Sequence, residues 1–327
     1  MTWDELVRVL ETLKDVDAEK VVEELKEKDA GVRLYLTPHY HEIHREYLVE
    51  LDQKENFCGP FAAAIILRGL GFREYEGERV DQDYLAVLAR VNVSPSDLER
   101  LRKLREKAKS LPPEEAEKLA EASREIWYRF QDFPTTTKSQ ELGASAEGVA
   151  HAILEASGNA LAVVPIKTYD RGDGALLRGE GLKAFHSLLR EVPRLQAQLI
   201  LNLNTRHLLD SEKIPRLSEK LLLGEPYPNI LRNPVGHFVS SGGLIEVDDR
   251  GLVVIRETYR IYGAHLQPLE RVGEALCRED GREGGVLLIV PRRVEAEARR
   301  LVEGLGLRVG LWDNGSPYIP ATSQQTF

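Results

Sequence analysis

The amino-acid sequence predicts an α+β fold with one enlarged core and appended segments. Three observations lead to this fold class. An apolar helical run follows Cys58 early in the chain, two β-rich runs form a late hairpin, and helix and strand patterns alternate between them. The chain has 327 residues, of which 42% are hydrophobic and 30% charged. This length and composition are typical of a globular protein with a sizeable core.

Helical patterns open the chain. Thr2 and Glu5 have the Ser/Thr-x-x-Glu spacing of a capping box, and apolar residues at helical spacing follow over residues 2–28. Val32–Leu36 is a short strand candidate, and a histidine-bearing stretch comes after it. We predict an N-terminal helical segment over residues 1–49.

A core is predicted over residues 50–290. A charge-rich stretch at about 81–130 reads as a helical insertion with a solvated face, formed by two surface helices around a turn. A small C-terminal α/β extension is predicted over residues 291–327, with a helix at 293–304 and a strand at 307–311. The other predicted elements of the core are helices at 145–156, 181–191 and 269–277, and strands at 160–166, 199–203, 237–247, 252–259 and 285–290.

Composition excludes several classes of protein. The net charge of −9 argues against a dedicated nucleic-acid binder, which needs clustered Lys and Arg. No apolar run approaches the roughly 18 residues that span a bilayer, and the N-terminus lacks the features of a signal peptide. We therefore expect a cytoplasmic protein without a membrane or nucleic-acid partner; the oligomeric state stays open. Arginine outnumbers lysine, with 30 Arg against 14 Lys, which is compatible with a thermophilic or GC-rich source.

Cys58 is the sharpest chemical feature of the sequence. It is one of two cysteines and lies at or just before a helix start, with Pro60 in the first turn. The free N–H groups and dipole at a helix N-terminus lower the pKa of a thiol. The same N–H groups can hold an oxyanion, and Gln53 is placed upstream to supply a second donor. Cys277 ends an apolar helix face and is expected to be a buried, inert thiol.

A base and an acid complete a candidate triad. His237 opens a strand late in the chain, after an irregular loop, and a Cys–His pair distant in sequence is the expected arrangement for thiol catalysis. The hairpin that begins at His237 returns near Glu257, whose carboxylate could accept the imidazole Nδ1–H. A solvent-exposed charge at the strand end is the alternative for Glu257. Asp248 and Asp249 lie at the far end of the hairpin.

These motifs resemble a known family. Gln53-x4-Cys58-Gly59-Pro60 with its Ala/Ile-rich helix, then Gly236-His237-Phe-Val and a strand that ends in an acid, is similar to papain-like cysteine peptidases. The similarity is closest to the branch of the double-glycine (bacteriocin-leader) peptidases and covers about residues 50–290. That family usually has Asp-Pro where this chain has Glu257-Thr258.

The resemblance implies a papain-like fold, in which a Cys helix packs on an antiparallel sheet that carries the His and the acid. It implies that Cys58 is the nucleophile, His237 the general base and acid, and Gln53 the oxyanion donor. The expected activity is that of a cysteine peptidase or amidase on a peptide or amide substrate, without a cofactor. Two alternatives stay open: an acyltransferase that uses the same Cys–His pair, and a catalytically silent binding or scaffold protein with the same fold.

A metal site is the rival interpretation of the histidines near residue 40. On a strand, His39 and His41 would share a face, and on a helix His41 and His44 would. No second ligand cluster lies at a diagnostic spacing. We therefore predict no metal, and His39, His41 and His44 are kept as weak candidates only.

Overall fold

The computed structural model of the chain describes residues 2–316, except for residues 51, 55, 92–102, 104–106, 108–109, 116–142 and 279. Within these residues the strands are β1 Val32–Leu36, β2 Glu74–Tyr75, β3 Glu78–Arg79, β4 Leu161–Lys167, β5 Tyr169–Asp170, β6 Gly174–Ala175, β7 Gln198–Asn204, β8 Gly236–Val247, β9 Arg250–Arg256, β10 Ala264–Pro268, β11 Gly285–Pro291 and β12 Arg308–Val309. The α-helices are Trp3–Leu10, Ala18–Glu27, Tyr40–Val49, Cys58–Gly69, Gln82–Leu88, Ala146–Ala156, Glu180–Glu191, Leu217–Leu223, Leu269–Leu276 and Glu295–Gly304.

One antiparallel sheet organises these elements. Its strands run in the order β10-β9-β8-β7-β11-β4-β12. The long strand β8 pairs with β7 through its first half and with β1 through its second half. Its pairing with β9 on the other side has a register shift between Ser241 and Gly243. Segments from both ends of the described chain thus join one sheet, β1 at β8 and β12 at β4.

Helices cover both faces of this sheet. Alternate residues of the central strands point to opposite sides, so Ile200 belongs to one apolar cluster while Leu199 and Leu201 belong to the other. The first cluster contains the Cys58–Gly69 helix, called the cysteine helix below, and the two N-terminal helices. The second cluster contains the helices Glu180–Glu191 and Leu269–Leu276. The predicted α+β class is confirmed.

The elements at the predicted positions differ from the predictions by a few residues at most, as in Ala146–Ala156, which is capped by Ser145. The helix Leu217–Leu223 lies in the segment before His237, for which the sequence predicts an irregular loop. It forms because its leucines pack on the first apolar cluster, and Gly224, at φ +69°, ends it. The predictions also lacked the helix Tyr40–Val49 and the edge strand β10.

The predicted insertion at about 81–130 lies largely outside the described residues. Its first described element, Gln82–Leu88, is a buried helix beside the cysteine helix. The predicted surface helices around Pro112 lie mostly outside the described residues. None of the helices in the described part of the chain combines the length and apolar character that crossing a membrane requires.

Candidate active site

The start of the cysteine helix presents a thiol beside unpaired backbone donors. The helix begins at Cys58, and the preceding Phe57 provides no side-chain cap. Ala62, Ala63 and Ala64 favour the helix, while burial of almost every residue up to Gly69 holds it in place. The N–H groups of the first turn are left without intrahelical partners, so they are available to a negative charge at the thiol.

The hairpin of β8 and β9 brings His237 and Glu257 together. His237 is the second residue of β8, and Glu257 directly follows the last residue of β9. Ser240 pairs with Arg256 in this hairpin, so the two ends lie side by side. His237 Nε2 is 2.5 Å from Glu257 Oε1, and both side chains are buried.

The imidazole of His237 bridges the thiol and the carboxylate. A hydrogen bond connects His237 with Cys58, and Nε2 is already engaged by Glu257 and by the Thr258 hydroxyl at 3.0 Å. Nδ1 is therefore the nitrogen left to face the thiol. The prediction that Glu257 accepts from Nδ1 is therefore wrong in this detail, because the carboxylate contacts Nε2.

The charges of this cluster shift its pKa values in opposite directions. Burial opposes a thiolate at Cys58, but the contact with His237 and the backbone N–H groups of Phe238 and Gly59 outweigh it, so the pKa of the thiol is lowered. Burial also disfavours the imidazolium, yet Glu257 and Cys58 raise the pKa of His237 to about 9. The two shifts together favour a thiolate–imidazolium ion pair.

Arg232 supplies the charge that keeps Glu257 ionised. Burial would raise the pKa of Glu257, but His237 and Arg232 hold it well below the usual carboxyl range. Arg232 Nη1 donates to Glu257 Oε2, and the Arg232 guanidinium also lies over the Tyr262 ring, 3.7 Å from its centroid. Because Arg232 is buried as well, the pair is shielded from solvent.

Thr258 connects the triad to Gln53. Its hydroxyl donates to Gln53 Oε1 and lies 3.0 Å from His237 Nε2, while its backbone N–H donates to Glu257 Oε1. The amide oxygen of Gln53 is thereby held, and its Nε2 donates to Lys54 O at 3.1 Å. Gln53 also hydrogen-bonds with Tyr259, so its amide group lies at the cleft.

A cleft with a cavity volume of about 100 Å³ opens over these residues. Tyr259 forms one side, because its ring stacks on the His237 imidazole with 5.3 Å between the centroids and 8° between the planes. Charged side chains on the wall outside the triad are those of Arg278 and Arg282, and no Asp or Glu of the described residues belongs to the lining. The remaining lining residues are Gln53, Asn56, Cys58, Gly143, Ala144, Asn202, Val235, Gly236, His237, Phe238, Asn314 and Ser316.

The structure brings together Cys58, His237, Glu257 and Gln53, the four residues predicted as catalytic. Sequence reasoning missed Arg232, Tyr259 and the Thr258 hydroxyl. Thr258 and Tyr259 directly follow the candidate acid, so their position was a usable signal. Arg232 lies in an irregular segment, and nothing in its local sequence points to Glu257.

The three histidines near residue 40 do not gather as metal ligands. His39 is exposed with φ +55°, before the helix Tyr40–Val49, whereas His44 is buried within that helix. Burial and the nearby Arg256 charge lower the pKa of His44 to about 4. Among the described residues no group of three or more His, Cys, Asp or Glu side chains has the arrangement of a metal site.

Cys277 lies away from the cleft. It is fully buried, caps the C-terminal end of the helix Leu269–Leu276, and its Sγ lies 3.7 Å from Thr168 O. Cys58 and Cys277 are both free thiols.

Fold and site together define a mixed α+β protein with a partly buried Cys58 thiol beside a buried His–Glu pair at a cleft. The chain belongs to DUF6885, described as a family of unknown function, whose sequence profile matches residues 37–313. This range contains Gln53, Cys58, His237 and Glu257. No curated protein and no solved structure gives a significant match.

Proposed function

We propose that the protein is a cysteine hydrolase, a peptidase or amidase that acts through a thioester on Cys58. The observation that carries this proposal is the position of the His237 imidazole, between the Cys58 thiol and the Glu257 carboxylate. A thiolate is the nucleophile of thiol catalysis, and an adjacent imidazolium stabilises it. Two groups that shift each other's pKa in this way, at a cleft, are typical of a functional site.

Each side chain has a defined step in the proposed reaction. The Cys58 thiolate attacks the carbonyl carbon of a peptide or amide, and the carbonyl oxygen becomes an oxyanion. The His237 imidazolium then gives its proton to the leaving amine as the C–N bond breaks, which leaves a thioester on Sγ. His237 next takes a proton from water as the water oxygen attacks the thioester, the C–S bond breaks, and release of the carboxylic acid restores the Cys58 thiolate beside the His237 imidazolium.

The oxyanion would be held at the start of the cysteine helix. The backbone N–H of Cys58 is one donor, and Gln53 Nε2 is the other once it turns from Lys54 O toward the cleft. The Thr258 hydroxyl fixes the opposite end of the same amide group, at Gln53 Oε1. Glu257 keeps the His237 ring oriented and stabilises its charged form.

A papain-like fold is part of the proposal. The cysteine helix packs against β8, the strand that carries the candidate base, and the acid follows the next antiparallel strand. This order of elements supports the family resemblance of the motifs. The chemistry requires a reduced Cys58, which fits the proposed cytoplasmic location.

Alkylation of Cys58 as a function of pH tests the proposal. We expect iodoacetamide to label Cys58 at about pH 6 faster than it labels a free cysteine, because the ion pair supplies thiolate below the ordinary thiol pKa. His237→Ala should abolish this advantage at low pH. His151→Ala is the matched control, since His151 lies in another helix outside the cleft lining.

Hydrolysis gives the second half of the test. Cleavage of a peptide-amide library, followed by mass spectrometry, should rise as the thiolate forms and fall as pH passes about 9, where His237 loses its proton. Equal labelling rates for wild-type and His237→Ala protein would contradict the proposal. Fast labelling without cleavage, but with acyl transfer to an added amine, would identify an acyltransferase. Fast labelling with neither reaction would indicate a silent scaffold.

A further inference from the structure

A buried arginine without a carboxylate partner lies beneath the helix Tyr40–Val49. Arg256, the last residue of β9, is 1% exposed. Its Nη2 donates to Tyr40 O at 3.1 Å, and its guanidinium carbon lies 4.5 Å from the centroid of the Tyr40 ring. Its Nε and Nη1 have no hydrogen-bond partner among the described residues. Two of its nitrogens, which carry three N–H groups, are thus buried and unsatisfied among the described residues.

No carboxylate among the described residues compensates the positive charge of Arg256. An arginine stays protonated in proteins, and arginine is almost never fully buried unless paired. The titratable groups that face this guanidinium are Tyr40, Tyr47, His41 and His44, and no carboxylate in the described part of the chain forms an ion pair with it. Burial lowers the pKa of His44 to about 4, so this side chain is neutral. The Tyr40 ring offers only partial compensation.

Two further groups that can donate lie near Arg256. Ser240 is its direct partner across the β8–β9 pair, so the two side chains share one face of the sheet, and Ser240 Oγ has no hydrogen-bond partner within the described part of the chain. His44 lies one helical turn after Tyr40, the residue that Arg256 contacts, and its Nδ1 is also unsatisfied. All three side chains are buried.

Two more polar side chains lie near the start of the helix Tyr40–Val49. Thr37 N donates to Gly242 O, two residues after Ser240, and the Thr37 hydroxyl is buried without a partner among the described residues. Gln198 Nε2 donates to Pro38 O at 2.7 Å, and Gln198 Oε1, which can only accept, is unsatisfied within the same described residues. The two hydroxyls and the imidazole can each donate, so donors for an anion are present beside a fixed positive charge.

We propose that Arg256, Ser240 and His44 form a buried site for a small inorganic anion of halide size. Such an anion accepts hydrogen bonds from Arg256 Nε and Nη1 and from the Ser240 hydroxyl, with His44 Nδ1 as a further donor in one tautomer. It also supplies the missing counter-charge. Internal water would satisfy single donors but would leave the positive charge in place.

The site is separate from the proposed catalytic function. It belongs to the surroundings of Tyr40, whereas the neighbouring Glu257 pairs with Arg232 and His237. The bound anion would stabilise the junction of β8, β9 and the helix Tyr40–Val49, and it would do so in an inactive Cys58→Ala protein as well.

Bromide is the probe, because it replaces chloride and scatters X-rays anomalously. A crystal of the full chain grown in bromide should show an anomalous peak beside the Arg256 guanidinium and the Ser240 hydroxyl. In solution, thermal stability in bromide should exceed that in gluconate at equal ionic strength. Above the dissociation constant, each tenfold rise in bromide should raise the ratio of folded to unfolded protein about tenfold.

Two variants localise the effect. Arg256→Met should remove both the peak and the bromide dependence. If that variant does not fold, Ser240→Ala is the second measurement, and it should shift the half-saturating bromide concentration upward about fivefold, as expected for one lost hydrogen bond. Absence of an anomalous peak at Arg256 in wild-type crystals, or a density there that does not change between bromide and gluconate, would overturn the proposal in favour of ordered water.

Discussion

Cys58 and Cys277 are two free thiols at opposite ends of two helices, and their surroundings differ in every respect that controls reactivity. Cys58 begins a helix, contacts His237 and lines the cleft. Cys277 caps the C-terminal end of its helix and is fully buried, with Thr168 O nearby. A helix N-terminus stabilises a thiolate, whereas the partial negative charge of a C-terminus disfavours one.

The groups around a thiol decide its reactivity. Both residues have the same side chain and both adjoin apolar helices. Cys58 has a base within hydrogen-bonding distance, a carboxylate behind that base and, in Arg232, a cation behind the carboxylate. Cys277 has Thr168 O beside its thiol and does not line the cleft.

The labelling rates of the two cysteines should differ by at least about 1000-fold. Cys277 can react only when its surroundings open, and a typical unfolding equilibrium leaves so small a fraction open. The measurement is iodoacetamide labelling at about pH 7 with peptide mapping by mass spectrometry. In denaturant the two cysteines should react at similar rates, which serves as the control. Fast labelling of Cys277 in the native protein would break the comparison.

Replacement of the carboxylate behind His237 should affect both stability and reactivity. Glu257→Gln leaves the buried Arg232 charge without its partner, so we expect a loss of about 3 kcal/mol in the free energy of unfolding at neutral pH. Because the folded-state pKa of Glu257 is lowered, the stabilisation is full above the ordinary carboxyl range and disappears as pH falls. Wild-type and variant stabilities should therefore converge in acid.

The control for Glu257→Gln is Glu270→Gln, the same change at an exposed position. Denaturant unfolding of the control should match wild type within about 0.5 kcal/mol. The Glu257 variant should also lose the low-pH labelling of Cys58, because the neighbouring imidazolium is no longer stabilised. An unchanged labelling profile would show that Glu257 has no part in activating the thiol.

Local sequence patterns predicted the parts of this site that local interactions determine. The Ala/Ile-rich run that ends at Gly69 predicts the cysteine helix. Two β-rich runs around Asp248-Asp249-Arg250-Gly251 predict the β8–β9 hairpin. The pairing of Arg232 with Glu257 could not be predicted, since it depends on how an irregular segment packs. The helix Tyr40–Val49 was missed because its histidines and charges obscure the apolar face formed by Tyr40, Ile43 and Tyr47.

Gly59 tests how closely the cysteine helix must approach its neighbours. A Cβ at this position would lie 2.5 Å from Val149 Cγ2 and 3.1 Å from Ala144 Cβ. Gly59→Ala should gain helix propensity but lose more through overpacking, so we expect a net destabilisation of about 1 kcal/mol in denaturant unfolding. Labelling of Cys58 should slow as the helix start shifts away from His237.

Two further variants separate packing from backbone effects at Gly59. Gly304→Ala also lies in a helix but has no atom within 4 Å of the added Cβ, and it should be neutral or slightly stabilising. Val149→Ala removes the clashing methyl group, so the pair Gly59→Ala and Val149→Ala should recover the labelling rate lost in Gly59→Ala. If the double variant labels as slowly as Gly59→Ala, close approach is not the reason for glycine at this position.

The smallest expected effect concerns the charge of the cleft around Cys58. Arg278 and Arg282 line it, and Arg278 is paired with Asp280. Iodoacetate is an anion and iodoacetamide is neutral. The alkylation rate of Cys58 by iodoacetate, divided by its rate with iodoacetamide, therefore measures the local electrostatic potential. Arg282→Ala should lower this ratio about two- to threefold, the effect of one partly exposed charge, and about 1 M salt should largely remove the difference. Arg299→Ala makes the same change outside the cleft and should leave the ratio unaltered.

A positive potential that acts on iodoacetate would act equally on a substrate carboxylate near the scissile bond. An unchanged ratio in Arg282→Ala would mean that the cleft does not select substrates by charge, and that Cys58 differs from Cys277 through the triad alone.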